Sequence, residues 1–512
     1  MIKERINPHE IRVLPDGTLL VDFDKIYSGY FSIKVKSSRN ICAEIEVKET
    51  NANNSIEDKL DSKYFVKSND KYHIKSNGSF EYCSTLIGSI GLLLLKGIDA
   101  AELCEVFVVF SHYPIKLEGN FECSDKTLNK IYQVGKHTVN ICRQSIELDS
   151  PNHQENLGCI GDYIIESLVS YYCFGDTTLS RFDIIRIAEY MRMNGGKMFH
   201  TSYSLMWIYM LYDYYMFSGD REIFATVRDV IDMLLDRFAT YLGDNGVIEN
   251  PPNYMFIDWV PVDRYNLHHP PKALGQAAMT AFYYHALELA QKIYLNIGDI
   301  ASAEQCSLQA RLVKLAFHKN FYDKKKQIYC CGLNTESEVN EWLPQNADNK
   351  YFSVHVNTLA ALYGLSDDGK RIMQIVMENN NLIKAQPYFM HFVLEALYQC
   401  GLFEKYGIKT IKRWQKQVEE CDKGMKEAWG DFLGYNYDYS HGWATTPSYQ
   451  LPSKILGLKI LEPGFKKISL NPNLFGLDFA NISVPTPFGC IKCNIGKTNL
   501  YQIPDEIEVV GL

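Results

Sequence analysis

The chain has 512 residues, 46% of them apolar and 22% charged, with a net charge of −9 and a pI near 5.9. That length suits about two to four domains, and the composition is ordinary for a globular protein able to bury a large core. No Lys/Arg-rich block of the kind that tracks phosphates is present, so nucleic acid fits poorly as a partner and a neutral or sugar-like ligand fits better.

The first residues, Met1-Ile-Lys-Glu-Arg-Ile-Asn-Pro-His, lack the apolar stretch that a secretory signal needs, so a cytoplasmic location is expected. The longest apolar run, Ile90-Gly-Leu-Leu-Leu-Leu, is far short of the roughly 20 residues of a membrane span, and no membrane partner is expected. From Arg12 to about Leu117 the chain reads as strands: Thr18-Leu-Leu-Val-Asp-Phe, Tyr30-Phe-Ser-Ile-Lys-Val, Ala43-Glu-Ile-Glu-Val and Cys104-Glu-Val-Phe-Val-Val-Phe cluster β-branched and aromatic residues between turns. A β-sandwich over 1–117 is the expectation, with 51–70 as a loop.

Past Phe121 the apolar period becomes 3.6. Twelve helices are predicted, at 125–143, 160–175, 178–194, 203–218, 221–242, 272–296, 299–320, 352–364, 366–379, 388–401, 402–419 and 445–457. Phe174-Gly-Asp, Ser218-Gly-Asp and Ile297-Gly-Asp each put a glycine at a helix end and an aspartate able to cap the next helix. Twelve helices joined alternately by short and long connections make six α-hairpins, which predicts an (α/α)6 barrel over 118–460. From Glu462 the strands return, giving a small β domain over 461–512. The predicted class is mainly α with β modules at both ends.

Fourteen cysteines follow no repeating framework, and several (Cys142, Cys173, Cys306, Cys400) lie in apolar helical stretches, as reduced core cysteines do. Cys490-x-x-Cys493 has no second pair or histidines at matching spacing, so no zinc site is expected there.

Scaffold-held loops carry most chemistry, and two of the long connections are dense in polar groups. Glu147-Leu-Asp-Ser-Pro-Asn-His-Gln-Glu-Asn-Leu-Gly-Cys-Ile-Gly-Asp162 packs Asp149, Glu155 and Asp162 ahead of an apolar helix. Carboxyls converging in a cleft raise one another's pKa, which a proton donor at neutral pH needs; the plainer alternative is a surface loop with Asp162 near a helix N-terminus. The second cluster is Met425-Lys-Glu-Ala-Trp-Gly-Asp431 with Ser440-His-Gly-Trp-Ala-Thr-Thr-Pro447. Five tryptophans, Trp207, Trp259, Trp342, Trp429 and Trp443, fall in or beside the proposed loops, and only Trp414 reads as mid-helix. Aromatics among carboxylates suit a sugar cleft, although the same residues would also plug the crowded ends of a helical barrel. His355 and His200 read as satisfied barrel residues, and Cys159 as core filler.

The order Gly119-Asn-Phe-Glu-Cys-Ser-Asp-Lys-Thr-Leu-Asn-Lys-Ile-Tyr, then Asp149-x-Pro-x-x-x-Glu-x-Leu-Gly-x-x-Gly-Asp162, resembles glycoside hydrolase family 78, the bacterial α-L-rhamnosidases. Tyr203-Ser-Leu-Met-Trp, Tyr214-Tyr-Met-Phe-Ser-Gly-Asp220, Ile257-Asp-Trp259, Phe352-Ser-Val-His-Val-Asn357, Pro387-Tyr-Phe, Ser440-His-Gly-Trp443 and Pro463-Gly-Phe-Lys continue it in order. With Val21-Asp-Phe, Ser28-Gly-Tyr-Phe and Val484-Pro-Thr-Pro-Phe-Gly489 the likeness covers nearly the whole chain.

That resemblance implies an inverting, exo-acting glycosidase on an (α/α)6 barrel, acting on a small carbohydrate or glycoside. Glu155 matches the general acid and Glu427 the general base. Asp149 and Asp162 match flanking acids that hold sugar hydroxyls, and Asp258 with Trp259 a further substrate-contacting pair. His441 and Trp443 match a sugar-contacting stretch; Trp207 and Trp429 join the substrate-binding set as aromatics near the loops. No cofactor and no metal are implied, and a homodimer is left open. Departures are His153, Gln154, Asn156 and Cys159, where the family usually has Arg, Asp, Arg and Trp, so the carboxylate machinery carries over more safely than the L-rhamnose specificity. The rivals are a hydrolase for another deoxy sugar or a uronic acid, a phosphorylase, and a non-catalytic sugar-binding relative.

Overall fold

The computed structural model describes residues 1–50, 71–152, 154, 158–249, 251, 254–262, 265–266, 272–333, 351–429 and 438–511. The predicted loop at 51–70 lies outside them. The chain divides into two compact units. One holds Met1–Lys116, Lys126–Asn156 and Trp414–Ser448; the other holds Leu117–Asp125, Leu157–Arg413 and Tyr449–Leu512.

In the first unit, β1 (Ile2–Ile6), β2 (Glu10–Val13), β3 (Leu19–Val35), β4 (Ile41–Lys48), β5 (Lys71–Ser76), β6 (Phe80–Cys83), β7 (Gly88–Lys96) and β8 (Leu103–His112) form an antiparallel sheet. Its order is β1-β8-β3-β7-β4-β5, with β2 and β6 also paired to β3. The two strands read from Thr18 and Tyr30 are one strand. The register of β3 on β7 shifts between Asp22 and Tyr27; before the shift β3 is flanked by β2 and β7, and along its last residues by β6 and β8. A bulge that lets one strand change partners is how a sandwich turns its corner. Val21, Phe23, Phe31, Ile33, Ile45, Leu93 and Val108 fill the interior, and the helix α1 (Lys126–Cys142) adds Ile141 and Cys142 to it.

The second unit takes its order from how apolar each helix is. α2 (Ile160–Phe174) and α4 (Thr201–Ser218) bury nearly every residue, whereas α3 (Thr178–Met193) and α5 (Glu222–Ala239) bury one face. A helix apolar all round belongs inside and an amphipathic one outside. The alternation continues through α6 (Lys272–Ile297), α7 (Ile300–Phe321), α8 (Val354–Leu362), α9 (Gly369–Glu378), α10 (Met390–Gln399) and α11 (Phe403–Ile411). α2, α4, α6, α8 and α10 pack on one another in sequence, and each of α6, α8 and α10 also packs on the helix that follows it. At the predicted joints Gly175, Gly219 and Gly298 have φ of 58°, 74° and 84°. Asp299 caps α7 by accepting from Ser302 N at 3.1 Å, as expected, but Asp176 and Asp220 sit one residue too early and accept from the second residue on instead.

The helix predicted at 402–419 is broken. A 3-10 turn, Lys412–Trp414, separates α11 from α12 (Gln415–Glu420), so Trp414 stands at a joint and not mid-helix. α13 (Pro447–Leu456) closes the series, and no helix among the described residues is long and apolar enough to cross a membrane. Two short pairings, β10 (Pro261–Val262) with β11 (Tyr265–Asn266) and β12 (Tyr322–Asp323) with β13 (Ile328–Tyr329), edge the helical region. The terminal strands β14 (Lys459–Glu462), β15 (Lys467–Ser469), β16 (Ala480–Thr486), β17 (Gly489–Ile495), β18 (Leu500–Gln502) and β19 (Glu508–Val510) make two small sheets. β9 (Asn120–Cys123) pairs with β16, so the Gly119-Asn-Phe-Glu-Cys motif serves as an edge of the C-terminal sheet.

Trp207 is corrected from a substrate aromatic to a core residue. It lies mid-α4 with no exposed surface, and its indole N–H donates to Ile184 O at 3.0 Å. Trp207→Ala is expected to cost about 3–5 kcal/mol of stability, read as a lower thermal midpoint. An unchanged midpoint would restore the ligand role.

Candidate active site

Within the first unit the segment after α1 is buried although polar: Arg143, Glu147, Asp149 and Ser150 are each at most 1% exposed. Buried backbone and side-chain groups must find partners, and these fix the loop. Gln144 Nε2 donates to Ser111 O at 2.7 Å, and Gly442 N donates to Asp149 O at 2.8 Å, which sets Asp149 beside the Ser440-His-Gly-Trp stretch.

Glu427 is held by its backbone. Its N–H donates to Asp438 O at 2.9 Å and its carbonyl accepts the Trp443 indole N–H at 2.9 Å. Gln417 Nε2 donates to the carbonyls on either side, Lys426 O at 3.1 Å and Ala428 O at 3.0 Å. The carboxyl, in a residue 7% exposed, lies with Oε1 3.8 Å from His441 Nε2, and the His441 ring packs on Trp443 at 4.3 Å. Trp429 is half-buried and rests edge-on against Trp414 at 4.7 Å, whose indole N–H donates to Ala444 O at 2.8 Å. These bonds let Glu427 keep its place whatever its protonation state, which a proton-accepting group needs. Glu427, Asp438 and His441 each offer a ligand atom within 4.8 Å of the others, and are the group among the described residues that could hold a metal ion.

Glu49, just past β4, enters the same network from the sandwich. Its Oε1 accepts from Ser89 Oγ at 2.7 Å and from Ser440 Oγ, and its Oε2 accepts from Tyr439 N at 2.8 Å. Burial, then the neighbouring Asp438 charge, pushes its carboxyl from 4.5 up to about 7. The raised value means the folded state holds the proton longer than the unfolded chain. This contribution to stability is therefore full below about 4.5 and is lost as pH rises through about 7. Glu49→Gln is expected to remove that dependence, so the thermal midpoint of the wild type falls relative to the variant between pH 5 and pH 8. An equal difference at both pH values would refute it.

The second unit has an acidic cluster of its own. Asp162 sits in the first turn of α2, where the helix dipole favours a negative charge, and is 1% exposed. Tyr203 OH lies 3.4 Å from its Oδ2, and the ring passes so close to Gly161 that a Cβ there would fall 2.3 Å from it. Asp258 is fully buried: Oδ2 accepts from His355 Nε2 at 2.7 Å and Gln386 N at 2.9 Å, and Oδ1 from Trp259 N at 2.9 Å. Trp259 is half-buried with its ring edge-on to Phe256 at 5.9 Å. Tyr388 lies near both acids; burial first, then Asp162 and Asp258, drive its phenol well above the usual value. His355, expected as a satisfied barrel residue, is satisfied at Nε2 only, its buried Nδ1 finding no partner among the described residues, and His200 packs its ring on Tyr203 at 4.4 Å.

The structure thus brings Asp149, Glu427, His441, Trp443 and Trp429 into one unit and Asp162, Asp258 and Trp259 into the other. Glu155, His153, Asn156 and Trp342 lie outside the described residues. Sequence reading missed Glu49, Asp438 and Tyr388. Asp438 had a signal, standing two residues before Ser440-His-Gly-Trp, and Tyr388 lay in a quoted motif; Glu49 had none.

The family described as bacterial alpha-L-rhamnosidase 6 hairpin glycosidase domain matches residues 116–448, well over half of the chain. The chain belongs to that family. An α-L-rhamnosidase of Alteromonas sp. (strain LOR) is 22% identical over 97% of this chain and 55% of its own length. Among solved structures, the GH78 family rhamnosidase of Bacillus sp. GL1 superposes with a TM-score of 0.80 at 19% identity, covering 98% of this chain and 54% of that one. The Klebsiella oxytoca rhamnosidase, solved with rhamnose bound, gives 0.69 at 18% identity over 88% of this chain and 95% of that one. The chain spans about half the length of the curated relative. Membership confirms the expected class, a six-hairpin helical domain with β modules on either side of it in sequence.

Proposed function

We propose that the chain is an exo-acting, inverting glycoside hydrolase of the α-L-rhamnosidase type, with Glu155 as general acid and Glu427 as general base. The observation that carries this reading is Glu427 itself: a nearly buried carboxyl, backbone-clamped on both sides, with a histidine at 3.8 Å and two tryptophans around it. In the proposed reaction Glu155 gives its proton to the glycosidic oxygen as that bond breaks. Glu427 takes a proton from water, whose oxygen attacks the anomeric carbon from the opposite face and inverts it. Such a pair stands about 6.5–9.5 Å apart, to admit the water. Asp149, Asp162, Asp258, Trp259, His441 and Trp443 would hold and shape the sugar.

A glycone other than L-rhamnose is the second reading, favoured by two departures. Gln154 Nε2 is committed to Ile87 O at 2.9 Å and Pro151 O at 3.1 Å, and Cys159, where the family usually has Trp, is 1% exposed. Neither offers the sugar an acid or an aromatic face. Incubation with 4-nitrophenyl α-L-rhamnoside and a panel of other 4-nitrophenyl sugars, with NMR of the first-released anomer, separates these readings. Release of the inverted anomer supports the mechanism, retention contradicts it, and the preferred aryl sugar names the glycone. Binding of free sugar without turnover of any substrate would favour a non-catalytic relative.

A further inference from the structure

Inside the second unit a cavity of about 350 Å³ lies toward the C-terminal ends of α2, α4 and α6, and is lined also by α8, α10 and α13. Asp162, Tyr203 and His355 sit at the opposite, N-terminal ends of α2, α4 and α8. The cavity size is at the small end of ordinary ligand sites. Its wall carries Asp213, Glu395, Lys454, His285 and His391 among tyrosine and phenylalanine rings.

The charges facing the space do not cancel. Lys454 Nζ is bound to Glu395 Oε2 at 2.6 Å, and Glu395 Oε1 accepts from Tyr449 OH at 2.9 Å and Gln450 Nε2 at 3.0 Å, so this pair is neutral and satisfied. His391 Nδ1 is bonded to Tyr449 OH at 2.7 Å, and burial lowers its pKa to about 4; His285, stacked on Tyr363 at 4.0 Å, is lowered by burial too. Both rings are therefore neutral at neutral pH. Asp213 remains, with no hydrogen bond and no ion pair among the described residues. Burial, then the Glu395 charge, holds its carboxyl up at about 7, and Lys292 attracts it while standing over the Tyr212 ring at 5.4 Å. A desolvated carboxylate without a partner is costly and is relieved by a cation. Aromatic faces add their own attraction for an ammonium group.

We propose that this cavity is a binding site for a small organic cation, a primary or methylated ammonium, whose charge lies against Asp213 among the tyrosine rings. None of the residues that line it is among those assigned to hydrolysis, so the proposal does not depend on that assignment. An anion finds no unpaired cation lining the wall, and a neutral polyol leaves the carboxylate charge uncompensated.

Calorimetric titration of the full chain at pH 8 with methylammonium and tetramethylammonium chloride, against sodium chloride at equal ionic strength, tests this. Saturable binding is expected, weakened at least tenfold by Asp213→Asn. That variant removes an unpaired charge at a half-buried position and is expected to keep its fold, by circular dichroism, and its aryl-glycoside turnover. If it fails to fold, competition by glycerol and L-rhamnose in the wild type decides: no displacement of the ammonium supports the proposal. Absence of saturable ammonium binding, equal binding by Asp213→Asn, or equally strong binding of the neutral polyols would overturn it.

Discussion

Glu427→Gln is expected to lower kcat on an aryl glycoside by on the order of 10²–10⁴-fold, the usual worth of a general base, with little change in KM. The amide is isosteric, and the bonds that hold residue 427 run through its backbone to Asp438 N–H-accepting carbonyl, Trp443 and the neighbours clamped by Gln417, so the substitution leaves the support intact. What it removes, on the proposed mechanism, is the basic carboxylate oxygen that takes the proton from attacking water. Leaving-group dependence separates this role from that of Glu155. In Glu155→Gln the deficit should shrink as the leaving group becomes a better anion, because departure then needs no proton. In Glu427→Gln the deficit should stay nearly constant across the same series. A Glu427→Gln enzyme within twofold of wild type would end the base assignment, and a deficit that vanishes with good leaving groups would make Glu427 the acid.

Much of the fold is legible because its signals are local. The inner helices are recognisable by runs such as Tyr203-Ser-Leu-Met-Trp, apolar on every side, and the outer ones by a single apolar face; the glycine joints then set the ends. The misses are places where tertiary contacts decide. Phe23 and Ile26 bury themselves in the sandwich and carry β3 through its bulge, so two apparent strands are one. Trp414 donates its indole N–H to Ala444 O, 30 positions away, and the helix tightens to a 3-10 turn there in a segment whose periodicity reads as unbroken α-helix.

The site divides in the same way. Asp149, Glu427, His441 and Trp443 stand out in the sequence as candidates because they crowd into two polar loops between apolar helices. Glu49 bonds Tyr439 N across 390 positions, and nothing around Ile41–Lys48 distinguishes it from a strand-end glutamate at the surface. Trp207 shows the opposite error, since nearness to a loop in sequence put a core indole into the sugar site.

Asp258 is where a family-derived role and a structural one compete, and substitution tells them apart. The resemblance makes Asp258 a sugar contact, yet its two oxygens accept from His355, Gln386 and Trp259, and it has no exposed surface. Removing an acceptor from three buried donors costs more than the bonds themselves contributed, because each donor keeps its desolvation penalty. Asp258→Ala is accordingly expected to lose about 3–5 kcal/mol, in the range measured when one partner of a buried pair is deleted. The thermal midpoint should fall steeply, and the loss should appear equally in the presence and absence of sugar. Activity should fall with it, since His355 and the Trp259 backbone lose their common anchor. Were Asp258 chiefly a ligand for sugar hydroxyls, the midpoint would hold and KM alone would rise. The three short bonds around Asp258 therefore predict that position 258 anchors His355 and the backbones of Gln386 and Trp259, and that any contact it makes with substrate is secondary to that task.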